Sequence, residues 1–456
     1  MNGNDLVDRA TLEEWDKEYI WHPFTQMQEY IGEDSPIIAK GDGVYLYDVD
    51  GTRYLDGVSS LWVTVHGHRH PVLNQAIKDQ LDQIAHSTLL GLSNVPSVLL
   101  AKKLVDITPP GLCKVFYSDN GSTAVEVAVK MAYHYWQLQG ATGKTKFVKL
   151  EEAYHGDTIG SVSVGGIGLF HQIFARLLFP TYTAPAPHCY RCSNGESCKM
   201  QCLDAMEKIL EKNAGEIAAV IMEPLVQGAA GMIVHPAGFL SKVRELTSQY
   251  GVLLILDEVA TGFGRTGTMF GCEHEGVSPD FLCLAKGITG GYLPLAATLT
   301  TEKIFNQFMG SYGELKAFFH GHTYTGNPLA CAAALSNLEI FEREDTLTRL
   351  QEKISHLEER LKEKFASHPH IGEVRQRGFM VGLELVRNKD GGEPYPLEQR
   401  VGHQVIKEAR KLGGILRPLG NVIVLMPPLA ITLDQLKELL DITYQAIDKV
   451  TSPHIS

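Results

Sequence analysis

The chain has 456 residues, of which 44% are hydrophobic and 21% charged, and this composition is ordinary for a globular protein of two or three domains. A net charge of -12 argues against a nucleic-acid partner, which would need a basic stripe. The N-terminal segment is charged throughout, unlike a signal peptide, and no apolar run reaches the about 20 residues that span a bilayer. We therefore expect a cytoplasmic protein with no membrane partner, whose eight cysteines are mostly reduced.

The N-terminal segment, residues 1–75, begins a small α/β domain. Two short strands within residues 43–56 predict a hairpin. His66, His68 and His70 then alternate, as metal ligands on one face of a strand do. Gly67 and Pro71 instead favour a loop, and no metal is predicted there.

From about residue 76 to 335, helices and apolar strands alternate, which predicts a large, doubly wound, mostly parallel α/β sheet domain. A strand at 114–118 leads through Gly121 and Ser122 into a helix at 124–137. A phosphate fits this position because free backbone N–H groups and the positive helix end meet there. Simple helix capping is the alternative.

Polar side chains follow two further strands of this domain. Tyr154 comes after the strand 146–150, and Glu223 comes directly after the strand 218–222. An aromatic side chain at such a position can stack on a flat heteroaromatic ring, although a core tyrosine is the alternative. In a mostly parallel sheet these residues meet at the carboxyl edge of the strands.

The most informative stretch has two apolar runs, residues 252–256 and 281–285, which end in Asp257 and Lys286. A buried lysine has a lowered pKa, and its neutral amine can form a Schiff base with an aldehyde. A carboxylate at Asp257 suits the pyridine nitrogen of pyridoxal phosphate, because it keeps the ring protonated and electron-withdrawing. A lysine that ends a strand and points to solvent is the alternative.

An acidic pair after an apolar strand is also typical of a P-loop ATPase. The nearest phosphate-loop candidate is Gly143-Lys144-Thr145, but the motif requires glycine where the chain has Leu138. The residues before it, 125–139, predict a helix and not the strand that such a loop follows. The sequence therefore disfavours nucleotide hydrolysis.

A polar loop contains four cysteines, Cys189, Cys192, Cys198 and Cys202. Such a group can bind zinc or an iron–sulfur cluster. Only the first pair has a common zinc spacing, so incidental surface thiols are the favoured interpretation and no metal is predicted.

A second loop of small residues contains Gly321, His322 and Thr323, immediately before a helix at 329–343. It is another candidate phosphate site. Residues 336–456 then predict a separate C-terminal α/β domain, with a short strand near residues 380–385. Its Arg417 lies between apolar residues and can bind a substrate carboxylate, with an interdomain ion pair as the alternative.

The segments LILDEVATGFGRTG and PDFLCLAKGITGG resemble the double signature of the class III pyridoxal-phosphate-dependent aminotransferases of fold type I. The resemblance covers essentially the whole chain. Within the class, segments such as WHPFT, YHGDT and LRPLG resemble the 7,8-diaminononanoate synthases of biotin synthesis, which aminate 8-amino-7-oxononanoate. In this fold type, a large sheet domain joins a small α/β domain formed by the N- and C-terminal segments.

The resemblance implies roles for the residues already identified. Lys286 would form the Schiff base with pyridoxal phosphate and move the substrate proton, and Asp257 would bind the pyridine nitrogen. Tyr154 would lie against the ring and border the substrate. Gly121 and Ser122 would bind the phosphate.

The resemblance also implies a homodimer with shared active sites, because His322 and Thr323 match phosphate contacts that the family supplies from the partner subunit. Gly321 and Arg417 match positions that contact substrate.

Three positions bear on the amino donor. Relatives that use S-adenosylmethionine carry tyrosine and tryptophan where this chain has Phe24 and Leu61, and only the neighbouring Trp62 remains. The loss of a hydroxyl and a stacking surface removes contacts suited to an adenosyl group. A branch of the family that resembles this chain at these positions uses lysine instead, and this resemblance favours lysine as the donor, with S-adenosylmethionine as the competing one.

Two other functions are compatible with parts of the sequence. An ω-amino acid aminotransferase of the same class would act on a diamine, taurine or β-alanine with pyruvate as acceptor, and some relatives in those groups have cysteines in the same loop. A cysteine-rich metal-binding or scaffold protein would be colourless, whereas a pyridoxal-phosphate enzyme absorbs violet-blue light.

Overall fold

The computed structural model describes residues 7–192 and 200–452. Its strands, in chain order, are β1 (Ile38–Asp42), β2 (Tyr45–Asp48), β3 (Arg53–Asp56), β4 (Leu112–Ser118), β5 (Lys146–Leu150), β6 (Thr181–Ala184), β7 (Ile217–Met222), β8 (Val226–Gln227), β9 (Ile233–Val234), β10 (Leu253–Asp257), β11 (Phe281–Leu284), β12 (Ala296–Thr301), β13 (Ile371–Arg377), β14 (Met380–Asn388), β15 (Glu393–Pro394), β16 (Gly414–Ile415), β17 (Arg417–Leu419) and β18 (Val422–Leu425).

Its helices are α1 (Arg9–Tyr19), α2 (Met27–Tyr30), α3 (Ser59–Trp62), α4 (Pro71–Leu81), α5 (Val95–Ile107), α6 (Gly121–Leu138), α7 (Ile159–Ser163), α8 (Gly168–His171), α9 (Gln201–Asn213), α10 (Phe239–Gln249), α11 (Glu302–Phe305), α12 (Pro328–Arg343), α13 (Thr346–Phe365), α14 (Val401–Lys411) and α15 (Leu433–Thr451). Within the described residues, none of these helices is both long and apolar enough to cross a membrane.

The central sheet has seven strands in the order β4-β12-β11-β10-β7-β5-β6. Strand β12 is antiparallel to both of its neighbours, and the other pairs are parallel. The prediction of a mostly parallel α/β sheet is therefore confirmed. Strand β10 is buried along its whole length, as is typical of a parallel strand covered on both faces, and this explains its continuous apolar run.

Helices cover both faces of this sheet. Leu253 and Ile255 of β10 pack in a cluster that contains the apolar side of α6. Leu254 and Leu256 point the other way, into a second cluster that includes Val243 of α10. The alternation along one strand shows the doubly wound arrangement that was predicted.

The N- and C-terminal segments share a smaller sheet, because β16 pairs in parallel with β3 in the order β1-β2-β3-β16. The hairpin predicted near residues 43–56 is present as the antiparallel pair β2 and β3. The shared sheet agrees with a small domain built from both ends of the chain. Its predicted boundaries at residues 75 and 335 stay a prediction.

The C-terminal region contains an antiparallel sheet, β13-β14-β18-β17, where the sequence pattern indicated one short strand near residues 380–385. Strand β13 was missed because its inward positions are not all apolar. Arg375 on this strand is only 5% exposed, and its guanidinium contacts Glu384 on β14 and the Gly231 carbonyl. Because a charged residue of such an ion pair occupies an inward position, the alternation of apolar and polar residues that identifies a strand is interrupted.

A buried arginine between β10 and β11 forms hydrogen bonds with both the N-terminal and the C-terminal segments. Arg265 is 1% exposed, and its guanidinium donates to the carbonyls of Pro427 at 2.7 Å and Thr64 at 2.8 Å. Burial lowers its pKa to about 10. These hydrogen bonds connect the C-terminal and N-terminal segments to the segment between β10 and β11.

Candidate active site

Three neighbouring strands of the central sheet deliver ionisable side chains to its carboxyl edge. Glu223 follows β7 directly, Asp257 ends β10, and Lys286 lies two residues after β11. Because β7, β10 and β11 are adjacent and parallel, the three side chains meet at one place. This is the site expected for a parallel α/β sheet.

Lys286 lines a cavity, and its amine lies 5.0 Å from the centre of the Trp62 indole ring. Its backbone is in the left-handed region, with φ of 46°, which is unfavourable for a side-chain-bearing residue and typical of functional sites. Burial lowers the pKa of Lys286, and the nearby carboxylates of Asp257 and Glu223 only partly oppose this effect. The lowered pKa favours the neutral, nucleophilic amine.

Trp62 is held in place by a strained segment. Ser59, Ser60 and Trp62 all have positive φ angles, between 52° and 64°. The Ser60 amide donates to Asp56 Oδ1 at 2.9 Å, and the Ser59 hydroxyl donates to the Met426 carbonyl at 2.7 Å. These contacts maintain the unfavourable backbone that places the indole beside the lysine amine.

Asp257 is buried and held by two partners. Its Oδ2 lies 2.8 Å from Nδ1 of His155, and its Oδ1 accepts a hydrogen bond from the Val259 amide at 3.0 Å. His155 is itself only 3% exposed. The carboxylate is therefore fixed in orientation, which suits a group that must meet a ring nitrogen at a defined place.

Tyr154 borders the cavity as predicted, and its hydroxyl donates to Asp157 Oδ2 at 2.6 Å. Its ring lies nearly parallel to the His171 ring, with the ring centres 6.3 Å apart and the planes 18° apart. Burial raises the pKa of Tyr154, and Asp157 acts in the same direction. The phenol therefore stays protonated as a hydrogen-bond donor at neutral pH.

The predicted phosphate site is the start of α6. Asn120 caps the helix by accepting from the Thr123 amide, and Gly121 and Ser122 occupy the first turn beside the cavity. Gly156 approaches so closely that a Cβ there would lie 2.0 Å from Ser122 Oγ, and its φ of 119° is also suited to glycine. Backbone N–H groups at a helix start, open to a cavity, fit a phosphate.

One cavity of about 580 Å³ connects these groups. The predicted site residues that line it are Phe24, Leu61, Trp62, Gly121, Ser122, Tyr154, Asp257, Lys286 and Arg417. Phe24 and Leu61 form an open apolar wall, and Phe24 meets Phe170 edge-on with ring centres 5.3 Å apart. Burial lowers the pKa of Arg417, and its Nε has no hydrogen-bond partner among the described residues.

Three predicted residues lie outside the lining of this cavity. Gly321 and Thr323 are exposed, and His322 Nδ1 lies 2.7 Å from Asp119 Oδ2 of the same chain. Asp119 does line the cavity, so the loop reaches its edge. Whether these residues serve the site of a partner subunit stays a prediction.

Sequence reasoning missed two residues that shape the site. His155 orients Asp257, and its signal was its position next to Tyr154 after a strand. Phe170 supports Phe24 from the short helix α8, and no periodic pattern marked it.

Two of the three histidines considered as metal ligands, His68 and His70, have acidic partners. His68 Nε2 lies 3.0 Å from Asp56, and His70 Nε2 lies 3.6 Å from Glu344. In the cysteine loop, Cys198 lies outside the described residues. In the part of the chain that is described, the group with metal-ligand geometry is His188, Glu373 and Glu384, but Arg375 already pairs with both of its carboxylates.

Residues 31–447 match the class III aminotransferase family. The chain belongs to this family, and it is therefore a pyridoxal-phosphate-dependent aminotransferase with the fold of type I enzymes. The site fits that cofactor, since a buried lysine, an oriented carboxylate and an open helix start line one cavity.

Particular relatives cover almost the whole chain. Adenosylmethionine-8-amino-7-oxononanoate aminotransferases of Aquifex aeolicus and Geobacter sulfurreducens are 58% and 54% identical, over 97% of this chain and 98% and 99% of theirs. The crystal structure of the enzyme of that name from Methanocaldococcus jannaschii is 52% identical, with a TM-score of 0.93 over 97% of this chain and 99% of that one. An amine transaminase from an uncultivated Pseudomonas species, solved with pyridoxal phosphate bound, is 38% identical, with a TM-score of 0.90 over 94% and 98% of the two chains.

Proposed function

We propose that this enzyme transfers an amino group to 8-amino-7-oxononanoate and forms 7,8-diaminononanoate for biotin synthesis. The observation that carries the proposal is the similarity, at up to 58% identity over nearly the full length, to enzymes named for this substrate. The cavity supports it, because Phe24, Leu61 and Leu419 offer an apolar wall for the alkyl chain and Arg417 offers a guanidinium for the carboxylate.

Bound pyridoxal phosphate supplies an aldehyde that condenses with amines and a ring that accepts electrons. The amine of Lys286 holds the cofactor between turnovers and moves the proton at the reacting carbon. The Asp257 carboxylate, oriented by His155, accepts the hydrogen bond of the ring nitrogen. Tyr154 borders the ring, and the amides at Gly121 and Ser122 hold the phosphate.

We infer that lysine is the amino donor. The wall at Phe24 and Leu61 has no hydroxyl and no second indole, so it lacks the stacking surface and polar contact that an adenosyl group would use. S-adenosylmethionine, which the relatives' names carry, is the competing donor.

A donor assay tests both proposals. We expect enzyme incubated with 8-amino-7-oxononanoate and lysine to form 7,8-diaminononanoate, and to form it more slowly with S-adenosylmethionine. Product with S-adenosylmethionine alone would reject lysine as donor and retain the reaction. Turnover of a diamine or β-alanine with pyruvate, and none of 8-amino-7-oxononanoate, would instead identify an ω-amino acid aminotransferase.

We also propose a homodimer in which His322 and Thr323 reach the partner's phosphate site and Gly321 borders its substrate. Large apolar side chains are exposed around this loop, with Leu90 76% and Phe319 73% exposed. Leu90 approaches within 3.8 Å of the point that a Cβ at Gly321 would occupy. An exposed apolar patch of this kind is typical of an interface, and here it adjoins the site-completing loop.

Sedimentation tests the dimer. We expect the protein at micromolar concentration to have twice the mass of one chain, and Phe319→Asp to shift it toward the monomer because the substitution would bury a charge in the interface. An exposed substitution on α10, Lys242→Asp, is the matched control. A monomeric wild-type protein with full activity would contradict the shared site.

The cytoplasmic location stays a prediction from the sequence.

A further inference from the structure

The cavity lining includes Glu223, a carboxyl group that the roles proposed above do not use. Glu223 is only 4% exposed. Its Oε1 accepts a hydrogen bond from the Gly228 amide at 2.9 Å, whereas its Oε2 is buried and has no hydrogen-bond partner among the described residues. Buried polar atoms are rarely left without a partner, so an unpaired carboxyl oxygen at a cavity wall points to a ligand.

The other carboxylates that line the cavity already have partners. Asp119 pairs with His322, Asp157 accepts from Tyr154, and Asp257 is held by His155 and an amide. Among the lining carboxylates in the described part of the chain, Glu223 is therefore the one with a buried oxygen that lacks a hydrogen-bond partner. A ligand group that satisfies it must be a donor, and a cation satisfies it best.

Glu223 lies beside the reacting centre. The Glu223 carboxylate acts to raise the pKa of the Lys286 amine, and the Lys286 amine acts to lower the pKa of Glu223. The Trp62 ring and Glu223 Oε1 both lie 3.5 Å from the point that a Cβ at Gly228 would occupy, so the indole and the carboxyl are neighbours. A substrate group that contacts Glu223 must therefore lie close, within the substrate, to the carbon that reacts beside Lys286.

We propose that Glu223 binds the ammonium group that 8-amino-7-oxononanoate carries on the carbon next to its ketone, an inference that rests on the proposed function. The ketone carbon must meet the centre at Lys286, so the neighbouring ammonium reaches Glu223, while the carboxylate at the far end of the chain is left for Arg417. Glu223 then selects keto acids that bear an amine beside the ketone.

The charge state of Glu223 is suited to this role. Burial raises its pKa to about 7, Asp257 acts in the same direction, and His155, the Gly228 amide and Lys286 oppose the rise. Because the carboxylate is the form that attracts an ammonium, binding is favoured above this pKa and weakens as protonation competes below it.

Ligand binding tests the proposal without turnover. The probes are 8-aminononanoate and nonanoate, which lack the ketone and differ only in the amine, titrated calorimetrically into enzyme whose cofactor has been converted to its amine form and cannot react with them. We expect wild-type enzyme to bind the amine-bearing probe at least about tenfold more tightly, because a hydrogen bond to a charged group is lost with nonanoate. Glu223→Gln should bind both probes equally.

Two other variants separate Glu223 from general effects. Asp157→Asn removes a charge from the same cavity, and this variant should still bind the amine-bearing probe more tightly than nonanoate. Arg417→Met should weaken the binding of both probes by the same factor. In wild-type enzyme, the amine probe should bind about tenfold more weakly at pH 6 than at pH 8, with nonanoate much less affected.

A Glu223→Gln enzyme that still prefers the amine, or a wild-type enzyme with no preference, would overturn the proposal. If the variant does not hold cofactor, the wild-type pH series decides, and a pH-independent preference would also overturn it. Wild-type enzyme that shows the preference but does not turn over 8-amino-7-oxononanoate would instead contradict the proposed function.

Discussion

Replacement of Lys286 by alanine is expected to reduce the rate of amino transfer by about four orders of magnitude or more. The variant loses the amine that lies in the cavity 5.0 Å from the centre of the Trp62 ring and whose pKa is lowered by burial. Of the described side chains, the lysine is placed both to bind an aldehyde and to carry a proton at the reacting carbon. Single-turnover kinetics with the amine form of the enzyme would measure the loss.

The matched control is Lys242→Ala, which removes an exposed lysine from α10 and should leave the rate unchanged. Cofactor binding by the Lys286→Ala protein, followed by its visible spectrum, shows whether the fold is intact. Amino transfer within about tenfold of the wild-type rate would mean that another residue performs the chemistry.

Replacement of Asp257 by asparagine is expected to lower kcat by about 100- to 1,000-fold, which is the effect of removing one preorganised electrostatic partner. Asparagine retains the shape of the side chain, so the contacts to His155 and Val259 can persist. The variant therefore removes the charge and leaves the geometry. Steady-state kinetics at saturating donor would measure the change.

Asp257→Glu keeps the charge and is the comparison for this experiment, and it should retain more activity than the asparagine variant. Equal losses of kcat in the two variants would indicate that the position of the side-chain atoms matters for the rate and that the negative charge does not. A rate in Asp257→Asn within about threefold of wild type would contradict the proposed role of the carboxylate.

The central sheet and most of the site could be predicted because their signals are local. Buried parallel strands are continuous apolar runs, and β10 and β11 show this pattern directly. Asp257 and Lys286 follow these runs, so their positions at the sheet edge follow from the strand direction. The helix predicted at 124–137 is α6, which begins three residues earlier, at Gly121, and is capped by Asn120.

The missed features depend on contacts between distant parts of the chain. His155 and Asp257 are 102 residues apart, and no local pattern in either segment predicts that the two side chains form a hydrogen bond. The unpaired oxygen of Glu223 is a property of its surroundings, and the sequence showed only that a carboxylate follows β7. The strained backbone at Trp62 depends on buried contacts to residues as distant as Met426, which no local propensity predicts.

The central claim is that Lys286 is the residue through which this aminotransferase holds its cofactor. Borohydride reduction of the holoenzyme, followed by proteolysis and mass spectrometry, tests it most directly because reduction fixes the cofactor on the amine that binds it. We predict a single pyridoxyl label on the peptide that contains Lys286, and none when the enzyme is first converted to its amine form. A label on a different lysine, or no label on a protein that is active and coloured, would contradict the claim.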